Sequence, residues 1–180
     1  MEIVAIFGKR LFAFKYPNET KDEFSRLFDL WNDNEYLEEF FETHISDLQS
    51  GYWYNTSVVE AVFDTIKYAQ QFEDVLYELS ENNEESQIDG LESMFRPLFN
   101  SSHQFWTFNK SKARDNWLRL YALRIERDIY IITGGAIKLT QKMQDRKHMS
   151  EELSKLEKCR SYLLNAGVVD VDGLMEEMES

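Results

Sequence analysis

The stretch from Trp117 to Thr140 reads WLRLYALRIERDIYIITGGAIKLT. From Trp117 to Ile125, and again from Ile129 to Thr140, it is rich in Leu, Ile, Tyr and Ala with no helical spacing, which predicts two strands. Glu126, Arg127 and Asp128 between them suit a tight connection, so the pair is expected to form an antiparallel hairpin at the heart of a sheet. Side chains in a strand alternate between faces, so Arg119 and Tyr121 share one face with Leu123 and Ile125, while Leu120 and Ala122 take the other. Gly134 and Gly135 inside the second strand predict a bulge or a close backbone approach. The helices are expected to cover one face of this sheet.

Working outward, the opening residues Glu2 to Tyr16 read as a strand or hairpin turning near Gly8, Lys9 and Arg10. Thr20 with Glu23 makes a capping box ahead of Phe24, Leu27, Phe28 and Trp31, a first helix. A second helix follows from the stripe Tyr36, Leu37, Phe40, Phe41, His44, Ile45 and Leu48, which ends before Gly51. Ser57 and Glu60 form another capping box in front of a long third helix that breaks at Asn82 to Ser86. Pro97 limits any helix after Leu91 to a turn or two, and Phe105 to Phe108 fits a short strand. The last helix is expected from about Ser150 to Asn165, with Gly167 as its stop, and Asp172 to Ser180 as a short capped helix or frayed tail.

These elements define an α+β fold, expected as one domain over 1–180, since 180 residues suffice for a full core and are too few for two well-developed ones. With 43% apolar residues, among them 13 Phe, 9 Tyr and 4 Trp, the chain has ample area to offset the ordering entropy. The single Cys159 excludes an internal disulfide. No apolar run approaches the length of a membrane span, and Glu2, Lys9, Arg10 and Lys15 interrupt the opening residues as no signal peptide would allow. A cytoplasmic protein without a membrane partner is expected.

The formal net charge is −13, but it is unevenly distributed. Residues 1–100 carry 7 basic and 21 acidic side chains, residues 101–165 carry 13 basic and 7 acidic, and the tail 166–180 is acidic. A basic surface on the second segment, offset by an acidic one on the first, is one reading of this asymmetry; chance differences between solvated faces are the other. No Cys pair, His pair at ligand spacing, phosphate-cradling glycine loop or hydrolase serine motif is present, so no metal and no cofactor is expected. His44 lies on an apolar stripe and reads as a core histidine, and Glu35, Glu38, Glu39 and Glu42 read as a solvated helix face. The cluster with chemical promise is Arg119, Tyr121, Arg124, Lys138, Lys142, Arg146, Lys147 and His148, from the hairpin and the loop after it.

The order Leu118-Arg119-Leu120-Tyr121, a short turn, Ile129-Tyr130-Ile131-Ile132, glycine, Ile137-Lys138, Thr140-Gln141-Lys142, and a helix opening at Glu151-Glu152 resembles the HigB-type branch of the RelE toxin superfamily. The resemblance spans about residues 117–162. It implies a RelE-like fold with an N-terminal strand, a helical region, an antiparallel sheet and a C-terminal helix, here with an enlarged acidic helical region. It also implies a metal-independent, ribosome-associated mRNA endoribonuclease of a type II toxin–antitoxin system, with an antitoxin as partner, or an inactive relative. Internal attack by a ribose 2′-hydroxyl needs a proton acceptor, cations on the phosphate and a donor for the leaving oxygen. Arg119, Arg124, Lys138 and Lys142 would supply cations, and Tyr121 or His148 a proton route. Lys138 matches the first of the family's two lysines, and Leu139 stands at the second. The competing expectation is a non-enzymatic protein-interaction module on the same scaffold, in which the basic side chains are dispersed or paired with acids.

Overall fold

The computed structural model describes residues 1–50, 53, 55–81, 90–98, 105–108, 116–140 and 147–180, with the backbone alone for 106–108. Two strands open the chain, β1 (Glu2–Phe7) and β2 (Leu11–Lys15), joined by a turn in which Gly8 takes a positive φ of 56°. Four helices follow, α1 (Glu23–Trp31), α2 (Asn34–Thr43), α3 (Ile45–Leu48) and α4 (Val58–Glu81). A 3-10 turn at Leu91–Ser93 leads to β3 (Phe95–Pro97), β4 (Phe105–Phe108), β5 (Leu118–Glu126) and β6 (Ile129–Ile137). Helices α5 (Lys147–Ala166) and α6 (Val171–Glu179) complete the described elements.

The expected hairpin is present and central: the six strands run in the order β1-β2-β6-β5-β4-β3. Its turn works because Asp128 accepts the left-handed conformation, at φ 61°, a region that Asp tolerates better than most residues. The sheet is mixed rather than wholly antiparallel, since β2 pairs with β6 in parallel, with Leu11 opposite Tyr130 and Ala13 opposite Ile132. Strand β2 belongs to the acidic segment and β6 to the basic one, so the two segments share one sheet.

The register of β5 against β6 jumps between Tyr121 and Ala122, where Thr133 is the extra residue opposite them. This is the bulge anticipated from the glycines, and Gly135 has the close approach: a Cβ there would lie 2.6 Å from the Arg119 carbonyl oxygen.

Both faces of the sheet are covered, which corrects the expectation of one. On the first face, Leu11, Ala13, Leu120, Ala122, Tyr130 and Ile132 pack with Phe24, Leu27, Phe28, Phe41 and Phe72 of α1, α2 and α4. On the second, Phe12, Phe14, Tyr121, Leu123 and Ile131 pack with Met149, Leu156, Cys159 and Leu163 of α5 and Leu174 of α6. The alternation along β2 and β5 is what divides the two cores. Trp117, 1% exposed, joins the sheet to α4: its indole Nε1 donates to Thr65 Oγ1 at 2.9 Å, and Phe41, Trp53 and Tyr68 surround it.

Ser57 and Glu60 form the expected reciprocal cap, the Ser57 N–H donating to Glu60 Oε2 at 2.8 Å and the Glu60 N–H to Ser57 Oγ at 3.2 Å. Helix α1 is capped instead by Asp22, which accepts from the Ser25 N–H at 2.9 Å, so Thr20 is not its cap. The single second helix is two, α2 and α3, parted at His44. Helix α5 starts at Lys147, so Lys147 and His148 sit in its first turn rather than in a loop. The expected break at Asn82 to Ser86 lies outside the described residues. Among those described, no helix is long and apolar enough to cross a membrane.

Candidate functional site

Two of the arginines that the sequence suggested as part of a catalytic cluster are engaged in contacts of their own. Arg119 folds its guanidinium back to donate to the Asn116 carbonyl at 2.6 Å and the Leu118 carbonyl at 2.8 Å. Arg124 pairs with Glu92 at 3.0 Å on the far side of the hairpin turn. The same Glu92 oxygen accepts from Tyr130 Oη at 2.8 Å, and the Glu92 N–H donates to Asp128 Oδ1 at 2.7 Å, so Arg124 belongs to a staple holding the 3-10 turn to the hairpin. Burial alone would raise the Glu92 carboxyl, but hydrogen bonds from Tyr130, the Asp128 N–H and Arg124 outweigh it and hold the group below its usual range.

Tyr121 is buried beneath α5 at 1% exposure, and its hydroxyl has no hydrogen-bond partner. Burial pushes its pKa well up, opposed by the charge of Arg119 and reinforced by Glu152. A proton route through Tyr121 would have to pass the helix. Lys138 occupies the exit of β6, where its N–H donates to the Trp117 carbonyl at 2.7 Å. Lys142 and Arg146 lie outside the described residues. His148, in the first turn of α5, lies close to His44, whose ring centroid is 5.0 Å away.

Beneath α5 is a polar cluster that sequence reasoning missed. Glu23, 2% exposed, accepts a forked pair of bonds from Arg26 Nε and a second guanidinium nitrogen, at 2.7 and 2.9 Å. Lys155 Nζ reaches across from α5 to Glu23 at 3.2 Å and to Glu152 at 3.0 Å. Beside them Tyr16 donates to the Thr133 carbonyl at 2.6 Å and lies 3.1 Å from Cys159 Sγ. The cluster sits where β6 leaves its parallel pairing with β2, at the Thr133 bulge.

Burial, with the nearby charge of Glu23, raises the Glu152 carboxyl, while Lys155 and Arg26 oppose the rise. Burial pushes the Cys159 thiol up to about 12. Such a thiol is a packing group rather than a nucleophile. A buried ion network with one unpartnered oxygen, Glu152 Oε2, fixes how α5 sits on the sheet better than it adds stability. Its sequence trace was two pairs at helical spacing, Glu23 with Arg26 and Glu152 with Lys155.

A second missed arrangement lies at the end of β6. His44, at the junction of α2 and α3, has Nδ1 4.0 Å from Asp47 Oδ2. Phe40, Ile137, Leu139, Thr140 and His148 close around this pair and leave no space for a water molecule among them. Among the described residues no three His, Cys, Asp or Glu side chains are arranged to hold a metal ion. The expected solvated face of Glu35, Glu38, Glu39 and Glu42 is exposed.

No family model, curated protein or solved structure matches this chain.

Proposed function

We propose that the chain is a diverged relative of the RelE/HigB-type toxins that acts on RNA in the cytoplasm, as a metal-independent, ribosome-associated mRNA endoribonuclease held in check by an antitoxin protein. The observation that carries this reading is the order of elements: an N-terminal strand, a helical region, an antiparallel run β3 to β6 and a C-terminal helix. That support is an analogy of fold, and chemistry has to come from side chains. In this reading the reacting phosphate lies near the exit of β6, where Lys138 and His148 are placed, and not over Tyr121, which α5 covers.

One set of contacts favours a second reading, a non-enzymatic protein-interaction module. Arg119 and Arg124 are engaged with backbone carbonyls and Glu92, while α4 exposes Val59 and Phe63 at 66% and 71% on its outer side. Induced expression of the full chain separates the two. Growth arrest with new 5′-hydroxyl ends in cellular mRNA is expected for the endoribonuclease. Unchanged growth with intact mRNA removes that reading and leaves the interaction module.

A further inference from the structure

We propose that the outer side of α4, together with the groove between α4 and α1, is a docking surface for a basic amphipathic helix of a protein partner. The proposal goes beyond the RNA reading and does not depend on it. Val59, Ile66 and Glu73 follow one another at seven-residue spacing, two turns of helix, while Phe63 and Tyr77 stand one turn after Val59 and Glu73. All five therefore share one side of α4. Val59, Phe63 and Tyr77 are 66%, 71% and 53% exposed, and Ile66 is half-buried. A side of this kind, apolar at one end and acidic at the other, is the pattern of a surface that receives a second helix.

Beside Glu73 the surface opens into a groove with room for about 520 Å³ of solvent, lined by Phe24, Phe28 and Asp29 of α1, by Asn32, and by Asp33, the N-cap of α2. Phe24 and Phe28 lie with ring centroids 4.4 Å apart and give it an apolar floor. Phe7 packs edge-on against both Phe24 and Tyr77, at 5.4 Å each, so the aromatic surface runs on from the floor to the exposed tyrosine of α4. Three carboxylates rim the groove. Asp29 pairs with Lys21, and Asp33 accepts the Tyr36 N–H at 3.0 Å. Glu73 pairs with no Lys or Arg among the described residues, and burial with the neighbouring charge of Asp74 raises its carboxyl. The groove thus holds negative charge that a cation from outside would relieve.

Charge decides the class of occupant. Helix α4 carries Glu60, Asp64, Glu73, Asp74, Glu78 and Glu81 against Lys67 alone, and α2 carries four glutamates and no base. RNA or an anionic membrane would meet repulsion over this side, and so would the same face of a second copy. A basic helix meets attraction. Its aliphatic side packs on Val59, Phe63 and Ile66, and from Phe63 to Glu73 is ten residues, a rise of about 15 Å. A Lys or Arg three turns along such a helix reaches the groove, where its methylene stem covers Phe24 and Phe28 and its head lies between Glu73 and Asp33. The apolar anchor supplies affinity, and the carboxylates reject acidic competitors.

The test titrates the full chain into a labelled amphipathic leucine–lysine peptide of about 14 residues, a helix of about 21 Å, and follows fluorescence anisotropy at low salt. A leucine–glutamate peptide of the same pattern is the control. Binding of the lysine peptide alone, weakened about tenfold or more by Phe63→Ser and by Glu73→Lys, supports the proposal. The variant Glu157→Lys makes the same charge change on exposed α5 and should stay within about twofold of the parent. Peptide-induced amide NMR shifts confined to α1 and α4 of the parent support it even where a variant fails to fold. Equal binding of both peptides, equal losses in Glu73→Lys and Glu157→Lys, or no binding at about 100 μM overturns it. Shifts along α4 on adding oligouridylate overturn it in favour of RNA. A parent that sediments as a dimer and becomes monomeric in Phe63→Ser overturns it by giving the face to a second copy.

Discussion

Replacing Gly134 with Ala tests whether the buried carboxylate cluster sets the seat of α5. A Cβ at Gly134 would lie 2.0 Å from Glu152 Oε2 and 3.1 Å from its Cδ. Comfortable contact begins near 3.5 Å, so the carboxylate must retreat by about 1.5 Å. It has little room, because its other oxygen holds Lys155 at 3.0 Å and the residue is 8% exposed. Overpacking of this kind costs about 1–3 kcal/mol. In a chain of 180 residues each kcal/mol is worth about 2–4 °C in Tm. Urea unfolding of the parent, Gly134→Ala, Glu152→Ala and the double variant gives the coupling directly. We expect Gly134→Ala to cost about 2 kcal/mol alone and much less once Glu152 is truncated, a coupling of at least about 1 kcal/mol. A single-variant cost below about 0.5 kcal/mol, or a cost that persists undiminished without the Glu152 carboxylate, refutes the reasoning.

Thr65→Val keeps the shape of the side chain but removes the acceptor of the buried Trp117 indole, so it should cost about 1–3 kcal/mol, read by thermal or urea unfolding. Glu92 is held below its ordinary 4.5, so its stabilisation is present above that value and is lost as pH falls through the depressed one. Glu92→Gln should therefore be less stable than the parent at pH 7, with the gap narrowing below about pH 4.5; a gap independent of pH down to 3 counts against the staple. The Cys159 thiol, pushed up to about 12 and buried, should resist alkylating reagents at pH 8 in the native state and react promptly in urea; equal rates in both would contradict its burial.

The β5–β6 hairpin was legible because strand alternation and turn chemistry are local, and Asp128 could be placed at the turn from neighbours alone. The Ser57–Glu60 cap was legible for the same reason. The parallel pairing of β2 with β6 was not, since it joins segments with no local mark of each other. Cover on the second face was missed because the inward residues of α5, Met149, Leu156, Cys159 and Leu163, are sparse among charges that suggest a solvated helix. Glu23 and Glu152 look in sequence like any acids of a wet surface, and only packing makes them interior. His44 was read as a core residue from its stripe; that it meets His148, more than a hundred positions on, is a product of tertiary structure.

The pairing of β2 with β6 also orders events in time. Tyr16 and Thr133, which bond at the centre of the sheet, are 117 positions apart. During synthesis the β1–β2 hairpin and α1 to α4 emerge well before β6 exists, so one edge of β2, the run Leu11-Phe12-Ala13-Phe14, waits with unpaired backbone groups. Closing so long a loop is an entropic barrier met before the contacts that reward it, which slows folding relative to a chain of local contacts. An apolar open edge held for that interval is a site for wrong pairing, so the yield of folded protein should depend on chaperones and on how quickly the last third of the chain follows the first.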